Sequence, residues 1–130
     1  MDQEIIDKTR KTAELYFKDV SGERPYELWK AFDKGMARDL SLFITARMYA
    51  REKIPHKTRQ LVTVSALTVL CRLEELRLHI QAALNVGCKP REIAEVIFQT
   101  MIYGGVPAAN SALKTLREVL EERGLWPLDG

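Results

Sequence analysis

The sequence predicts an all-α fold of six or seven helices, and three observations carry the prediction. No segment sustains the apolar–polar alternation of a strand, and no Asn-Gly or Asp-Gly hairpin signal stands between apolar runs. Apolar residues recur instead at three- and four-residue spacing, in runs separated by glycine and proline. The run from Leu61 to Leu70 carries Leu, Val and Ala on every side, broken only by Thr63, Ser65 and Thr68. A helix apolar all round belongs at the centre of a bundle.

Residues 2 to 20 read as an amphipathic helix with Ile5, Ile6, Ala13, Tyr16, Phe17 and Val20 on one face. Ser21-Gly22 stops it, Gly22 being suited to a left-handed cap. Pro25 opens a short helix with Leu28, Trp29 and Phe32 expected inward. Gly35 punctuates, and a third helix from Ala37 to Arg51 presents Leu40, Phe43, Ile44 and Met48. Ile54-Pro55 marks the next boundary, because the residue before proline is pushed out of the helical region.

The central apolar helix follows, then a break near Cys71-Arg72 and a helix with Leu73, Leu76, Ile80, Ala83 and Leu84 facing the core. Gly87 ends that helix and Pro90 starts another, with Glu92 supplying first-turn negative charge. Ile93, Val96, Ile97, Thr100 and Met101 or Tyr103 keep helical period. Gly104-Gly105 suits a tight turn or a close helix approach better than phosphate binding. Pro107 begins a last helix with Ala109, Ala112, Leu113, Leu116, Val119 and Leu120 inward, and Gly124 ends it. The apolar tail Leu125-Trp126-Pro127-Leu128 is stable only if it docks, on its own chain or on a neighbour.

A chain of 130 residues is expected to form one domain, 1–130, with a real core. The formal charge of +2, spread along the chain, gives no reason to expect nucleic acid or an anionic membrane as partner. No apolar run of about 18 residues and no signal-peptide pattern appears, so a cytoplasmic location is expected. Cys71 and Cys88 form no CxxC pair and read as reduced thiols. No cluster of Cys, His and carboxylates has zinc spacing, and no Gly-x-x-x-x-Gly-Lys loop exists. Helices this short leave apolar surface uncovered, which favours an oligomer over a monomer.

The most chemical-looking feature is a polar stripe, Arg72, Glu75 and His79, beside the apolar seam of the helix after the break. If that helix extends back to Arg72, the three side chains neighbour one another. A bland reading stands beside each: a satisfied core histidine, an i, i+4 helix pair, a salt bridge between subunits. His56, beside Pro55, reads most simply as a solvated first-turn residue.

Three runs resemble the carboxymuconolactone decarboxylase family, within the wider alkylhydroperoxidase D-like superfamily. They are Lys57-Thr58-Arg59 before the apolar helix, then Cys71-Arg72-Leu73-Glu74-Glu75-Leu76-Arg77-Leu78-His79, similar to the family's G-R-P-E-E-L-R-L-H. The third, Tyr103-Gly104-Gly105-Val106-Pro107-Ala108-Ala109-Asn110, is close to its Y-x-G-V-P-A-A-N. Together they cover residues 35–123. The resemblance implies a single-domain helical bundle whose chains interlock into closed rings, commonly hexamers. It also implies a small-molecule pocket near His79 that uses no cofactor, and one of two activities: decarboxylation of γ-carboxymuconolactone in aromatic catabolism, or peroxide reduction by a Cys-x-x-Cys pair. At the two cysteine positions counted back from His79 stand Arg72 and Glu75, and Gln60 stands where peroxidatic members carry glutamate. Without a thiolate and its resolving partner, a disulfide cycle cannot run there.

Under the decarboxylase expectation His79 is the acid, since imidazole titrates near neutral pH. Glu75 orients that ring and holds it protonated, and Arg72 clamps a substrate carboxylate through its planar guanidinium. Arg59 and Tyr103 are further candidates for substrate binding, carried over from the matching runs. Arg59 also has a structural reading, capping carbonyls or pairing across an interface. A peroxidase-like redox protein using Cys71 or Cys88, and a non-catalytic oligomer that binds a small acid, are the alternatives.

Overall fold

Capping residues divide the chain into helices almost everywhere that proline and glycine suggest. The computed structural model describes residues 3–129. Among the described residues there are seven α-helices, one π-helical segment and no strand. They are α1 (Gln3–Phe17), α2 (Pro25–Phe32), α3 (Lys34–Ser41), the π segment (Leu42–Tyr49), α4 (His56–Val69), α5 (Leu73–Asn85), α6 (Pro90–Gly104) and α7 (Val106–Glu122).

The core lies among α4 to α7. Val64 of α4, Leu76, Ile80 and Ala83 of α5, Ile93 and Ile97 of α6, and Ala112, Leu116, Val119 and Leu120 of α7 form one buried cluster. The polar residues that interrupt α4 satisfy themselves: Thr63, Ser65 and Thr68 donate to the carbonyls of Arg59, Leu61 and Val64. That leaves the helix free to pack on α5, α6 and α7. Gly104 makes the α4–α6 approach possible, because a Cβ there would stand 3.3 Å from the Val69 backbone. Gly105, at φ 90, turns the chain into α7.

The N-terminal third lies over this core. α1 packs on α5 and on the π segment, and α2 packs on α3. Two α5 amides hold the end of α1. Asn85 Nδ2 donates to the carbonyls of Tyr16 and Lys18, at 2.8 and 2.9 Å. Gln81 is buried, accepts from the Ser21 amide and donates to the Ser21 carbonyl. These bonds satisfy α1's terminal carbonyls and fix where Tyr16 and Phe17 fall.

Several expectations need correction. The first helix ends at Phe17, and Asp19, at φ 56, takes the left-handed position ahead of Gly22. The start of that expected helix at residue 2 lies outside the described residues. The next break falls at Asp33, whose carboxylate caps α3 by accepting from the Met36 amide, so Gly35 sits inside the first turn. The expected helix from Ala37 to Arg51 divides instead into α3 and the π segment, whose end is an Ala50 amide bonded five residues back to Thr45. Leu28, Trp29 and Phe32 do not point inward: α2 buries no residue, and Phe32 is 85% exposed. α4 is buried on one face only, along Gln60, Val64 and Thr68, with Val62 and Leu70 exposed opposite. Arg72 stands outside α5 as its N-cap, at φ −94 and ψ 78, after a tight break at Cys71 with φ 56. In the tail, Leu128 docks on the core while Leu125 and Trp126 stay exposed.

Candidate functional site

Four elements converge on His79. The ring projects from the middle of α5, where Leu76 and Ile80 on either side are fully buried in the core. Phe17, at the end of α1, meets it edge to face at 6.0 Å between centroids. Tyr49, the last residue of the π segment, does the same at 6.2 Å. The π register delivers Tyr49 to this place, since it also packs edge-on against Tyr16 at 5.3 Å. Opposite stands α4, whose Gln60 accepts from His79 Nδ1 through Oε1 at 3.0 Å.

That hydrogen bond and the aromatic wall determine the electrostatics. Burial drives the imidazole from its ordinary 6.5 down to about 4, against the weaker opposing pull of the Glu75 charge. The ring is therefore neutral at pH 7, with its proton on Nδ1 and a lone pair on Nε2. Among the described residues no hydrogen bond engages Nε2. A neutral imidazole held this way offers a base, or a nitrogen ready to take a proton from outside.

The expected stripe is only partly assembled. Glu75 is exposed and acts on His79 through its charge, while the amide of Gln60, not that carboxylate, holds the ring. Arg72 is exposed at the α5 N-terminus, seven residues from His79, roughly 10 Å along a helix axis. Arg59 donates to the Arg51 carbonyl at 2.9 and 3.2 Å and lies 3.6 Å from Met48 Sδ, tying the end of the π segment to α4. Tyr103 is 77% exposed at the end of α6, beside exposed Met101, Ile102 and Val106. No ring contact or hydrogen bond joins it to His79 among the described residues.

Two neighbours were not legible as site residues. Tyr16 is fully buried, and its hydroxyl lies 2.5 Å from His56 Nδ1. Burial raises the phenol to about 12, with Gln60 and Arg59 pulling the other way. His56, expected to be solvated, is half-buried and packs edge-on against the Tyr16 ring at 5.1 Å. The signal for Gln60 was present in its spacing: it shares the inward face of α4 with Val64 and Thr68, at four-residue intervals.

Neither cysteine joins this cluster. Cys71 is exposed at the break, and Cys88 is buried with its Sγ 3.5 Å from the Lys57 carbonyl. Burial pushes the Cys88 thiol up, which keeps it protonated. No group of three or more His, Cys, Asp and Glu stands ready to hold a metal among the described residues. No helix there is long and apolar enough to cross a membrane.

A family model described as the carboxymuconolactone decarboxylase family matches residues 28–118. Over 104 residues the chain is 34% identical to the 4-carboxymuconolactone decarboxylase of Acinetobacter baylyi (strain ATCC 33305 / BD413 / ADP1), covering 80% of this chain and 78% of that protein. Over 78 residues it is 42% identical to an uncharacterized 15.0 kDa protein in the nqo9-nqo10 intergenic region of Paracoccus denitrificans, covering 58% of each. α1, which supplies Tyr16 and Phe17, lies outside the stretch that the family model matches.

The lowered His79 pKa has a measurable consequence for stability. Between 6.5 and about 4 the unfolded chain binds a proton that the folded chain refuses. The contribution of neutral His79 is thus complete above pH 6.5 and is lost as the pH falls toward 4, by at most about 3 kcal/mol. Denaturant unfolding from pH 7 to 4 is expected to show this loss, and His79→Gln is expected to flatten it. An NMR titration of His79 with a midpoint near 6.5 would contradict the assignment.

Proposed function

Because the chain belongs to the carboxymuconolactone decarboxylase family, we propose that it is a cofactor-independent carboxy-lyase acting on a small lactone acid of the γ-carboxymuconolactone type, in the cytoplasmic breakdown of aromatic compounds. The observation that carries the reading is His79: neutral, walled by aromatic rings, fixed at Nδ1 by Gln60, and with no hydrogen bond at Nε2 among the described residues. The Acinetobacter relative's name supplies the substrate class.

The substrate carries a carboxylate on the ring carbon next to the ring oxygen, vinylogous to the lactone carbonyl. Breaking the bond to that carboxylate releases CO₂ and leaves an electron pair, which delocalises through the ring double bond onto the carbonyl oxygen. The ring is its own electron sink. The protein has to orient a dianion, stabilise the oxyanion and protonate the carbon next to the carbonyl. His79 cannot donate from Nε2 while neutral. A bound dianion opposes the effect of burial and favours the imidazolium. His79 then takes a proton at Nε2 from solvent, delivers it to the ring carbon and returns to the neutral state. Glu75 assists by favouring that charged form. Arg72, exposed at the α5 N-terminus, clamps a carboxylate. Arg59 contributes its charge while remaining bound to the Arg51 carbonyl.

We place the apolar surface of α2, the π segment and the α6–α7 junction in contacts between copies of the chain. Phe32, Phe43, Ile102 and Tyr103 are each more than two-thirds exposed, and large exposed apolar surface marks contact sites. Tyr103 meets a substrate in this arrangement only at a junction between copies. A closed hexamer is the expected assembly, measured by light scattering. A dilute, folded monomer would overturn it.

The direct test is consumption of γ-carboxymuconolactone with no added cofactor. His79→Ala is expected to lower kcat by about 10²–10⁴-fold with a smaller effect on KM, and Arg72→Leu to act mainly on KM. Changing Cys71 and Cys88 together to Ser is expected to preserve turnover. Loss of all activity in that double variant, folded and assembled, would favour the peroxidase-like alternative instead.

A further inference from the structure

The decarboxylase reading assigns a proton donor and a carboxylate clamp, but it leaves the developing oxyanion without a donor. The surroundings of His79 hold one. Of the two rings that meet His79 edge to face, Phe17 carries no polar atom and Tyr49 carries a hydroxyl. Other donors are committed or distant. Arg59 is bound to the Arg51 carbonyl, and Tyr103 stands exposed at the end of α6 without a contact to His79 among the described residues.

The fold holds the Tyr49 ring in place. The π register closes behind it, where the Ala50 amide donates to the Thr45 carbonyl at 2.7 Å. Arg59 of α4 grips the chain on both sides of it, lying 3.6 Å from Met48 Sδ and 2.9 Å from the Arg51 carbonyl. The ring itself packs edge-on against Tyr16 at 5.3 Å and against His79 at 6.2 Å. A phenol fixed this way has little freedom left to lose when its hydroxyl takes a partner. That is the condition under which a donor stabilises developing charge well.

The polar atoms of the Tyr49–His79 pair are both unclaimed. Among the described residues neither the Tyr49 hydroxyl nor His79 Nε2 makes a hydrogen bond. Both residues are half-buried, yet the buried side-chain nitrogen and oxygen atoms that lack a hydrogen bond there are Gln60 Nε2 and Arg123 Nη2. The hydroxyl and His79 Nε2 are therefore open to solvent, although the rings that carry them are packed. An aromatic wall that presents one hydrogen-bond donor and one basic nitrogen side by side suits a single polar ligand. A centroid separation of 6.2 Å leaves both atoms within reach of one five-membered lactone. The carbonyl oxygen of that lactone and the carbon that takes the proton belong to adjoining ring positions, so one seated molecule can meet both.

We propose that Tyr49 is a further catalytic residue, whose hydroxyl donates a hydrogen bond to the lactone carbonyl oxygen and stabilises the negative charge that gathers there as CO₂ leaves. Tyr49 keeps its proton throughout, and the proton that reaches the ring carbon comes through His79. The inference rests on the decarboxylase reading, and a binding measurement separates the two.

Tyr49→Phe removes one oxygen and keeps the ring against Tyr16 and His79. In the lactone assay it is expected to lower kcat by about 10²–10³-fold with little change in KM, because the bond strengthens only as charge develops. The second arm needs no turnover. A tetronate bearing an acetate side chain is a lactone whose enolate charge is shared with the ring carbonyl. The saturated lactone dicarboxylate is also a dianion, but its carbonyl carries no such charge. The parent is expected to bind the tetronate more tightly, and Tyr49→Phe to weaken it by about 10–100-fold while leaving the saturated lactone nearly unaffected. The Cζ resonance of ¹³C-labelled Tyr49 in the parent is expected to shift when the tetronate binds, which decides the matter should the variant not fold. A kcat unchanged in Tyr49→Phe would overturn the proposal, as would a parent that does not bind the tetronate or a Cζ resonance that ignores it. Equal weakening of both ligands would overturn it too, since that is the mark of a merely structural tyrosine. A parent that leaves γ-carboxymuconolactone untouched, yet shows the tetronate preference and loses it in Tyr49→Phe, would remove the substrate assignment and keep Tyr49 as the oxyanion donor.

Discussion

The arrangement turns on one buried amide. Gln60 sits on the buried face of α4, with no exposure to solvent. A buried polar group left without partners costs about 1–3 kcal/mol, so the neighbouring elements must bring polar atoms to it. α5 brings His79 to Oε1 at 3.0 Å, while Nε2 is buried without a hydrogen-bond partner among the described residues. Asn85 and Gln81 of α5 capture the end of α1 and set its register over this helix. The polar contacts therefore couple the N-terminal helix to the helix that carries His79.

Helix boundaries in the C-terminal two-thirds were legible because single residues dictate them. Pro55 and Pro90 stand at helix starts, and Gly87, Gly105 and Gly124 adopt positive φ at helix ends. The N-terminal third was less legible, for two reasons. Asp19 and Asp33 took over the turn and cap roles expected of Gly22 and Gly35, which local propensity does not forbid. Periodicity also identifies an apolar face without saying what covers it, so Leu28, Trp29 and Phe32 read as core residues although the chain itself leaves them exposed.

The site divides in the same way. His79 stood out by its place beside an apolar seam and by the resemblance of its run. Gln60 stands out in the sequence only as the residue in the place of the peroxidatic glutamate, and neither it nor Tyr16 reads as a neighbour of a ring, because the groups lie far apart in sequence. Gln60 is 19 residues upstream, and Tyr16 is 40 residues from His56. Tyr16 was counted with the apolar face of its helix, which its ring does serve, while its hydroxyl does something else. The expectation that Glu75 orients the imidazole came from helical spacing alone. Spacing cannot show that a buried amide on another helix is the nearer partner.

On the proposed decarboxylase reading, function at this site is a matter of charge state. A histidine that burial holds neutral becomes an acid, on that reading, when the dianionic substrate joins it. Protonation is thereby linked to binding. The most direct measurement is calorimetry with a saturated analogue of the lactone dicarboxylate, which lacks the ring double bond and cannot lose CO₂, in buffers of differing ionisation enthalpy. The account predicts uptake of about one proton per site near pH 7, absent in His79→Gln. Binding of the analogue to the parent with no proton uptake would contradict it.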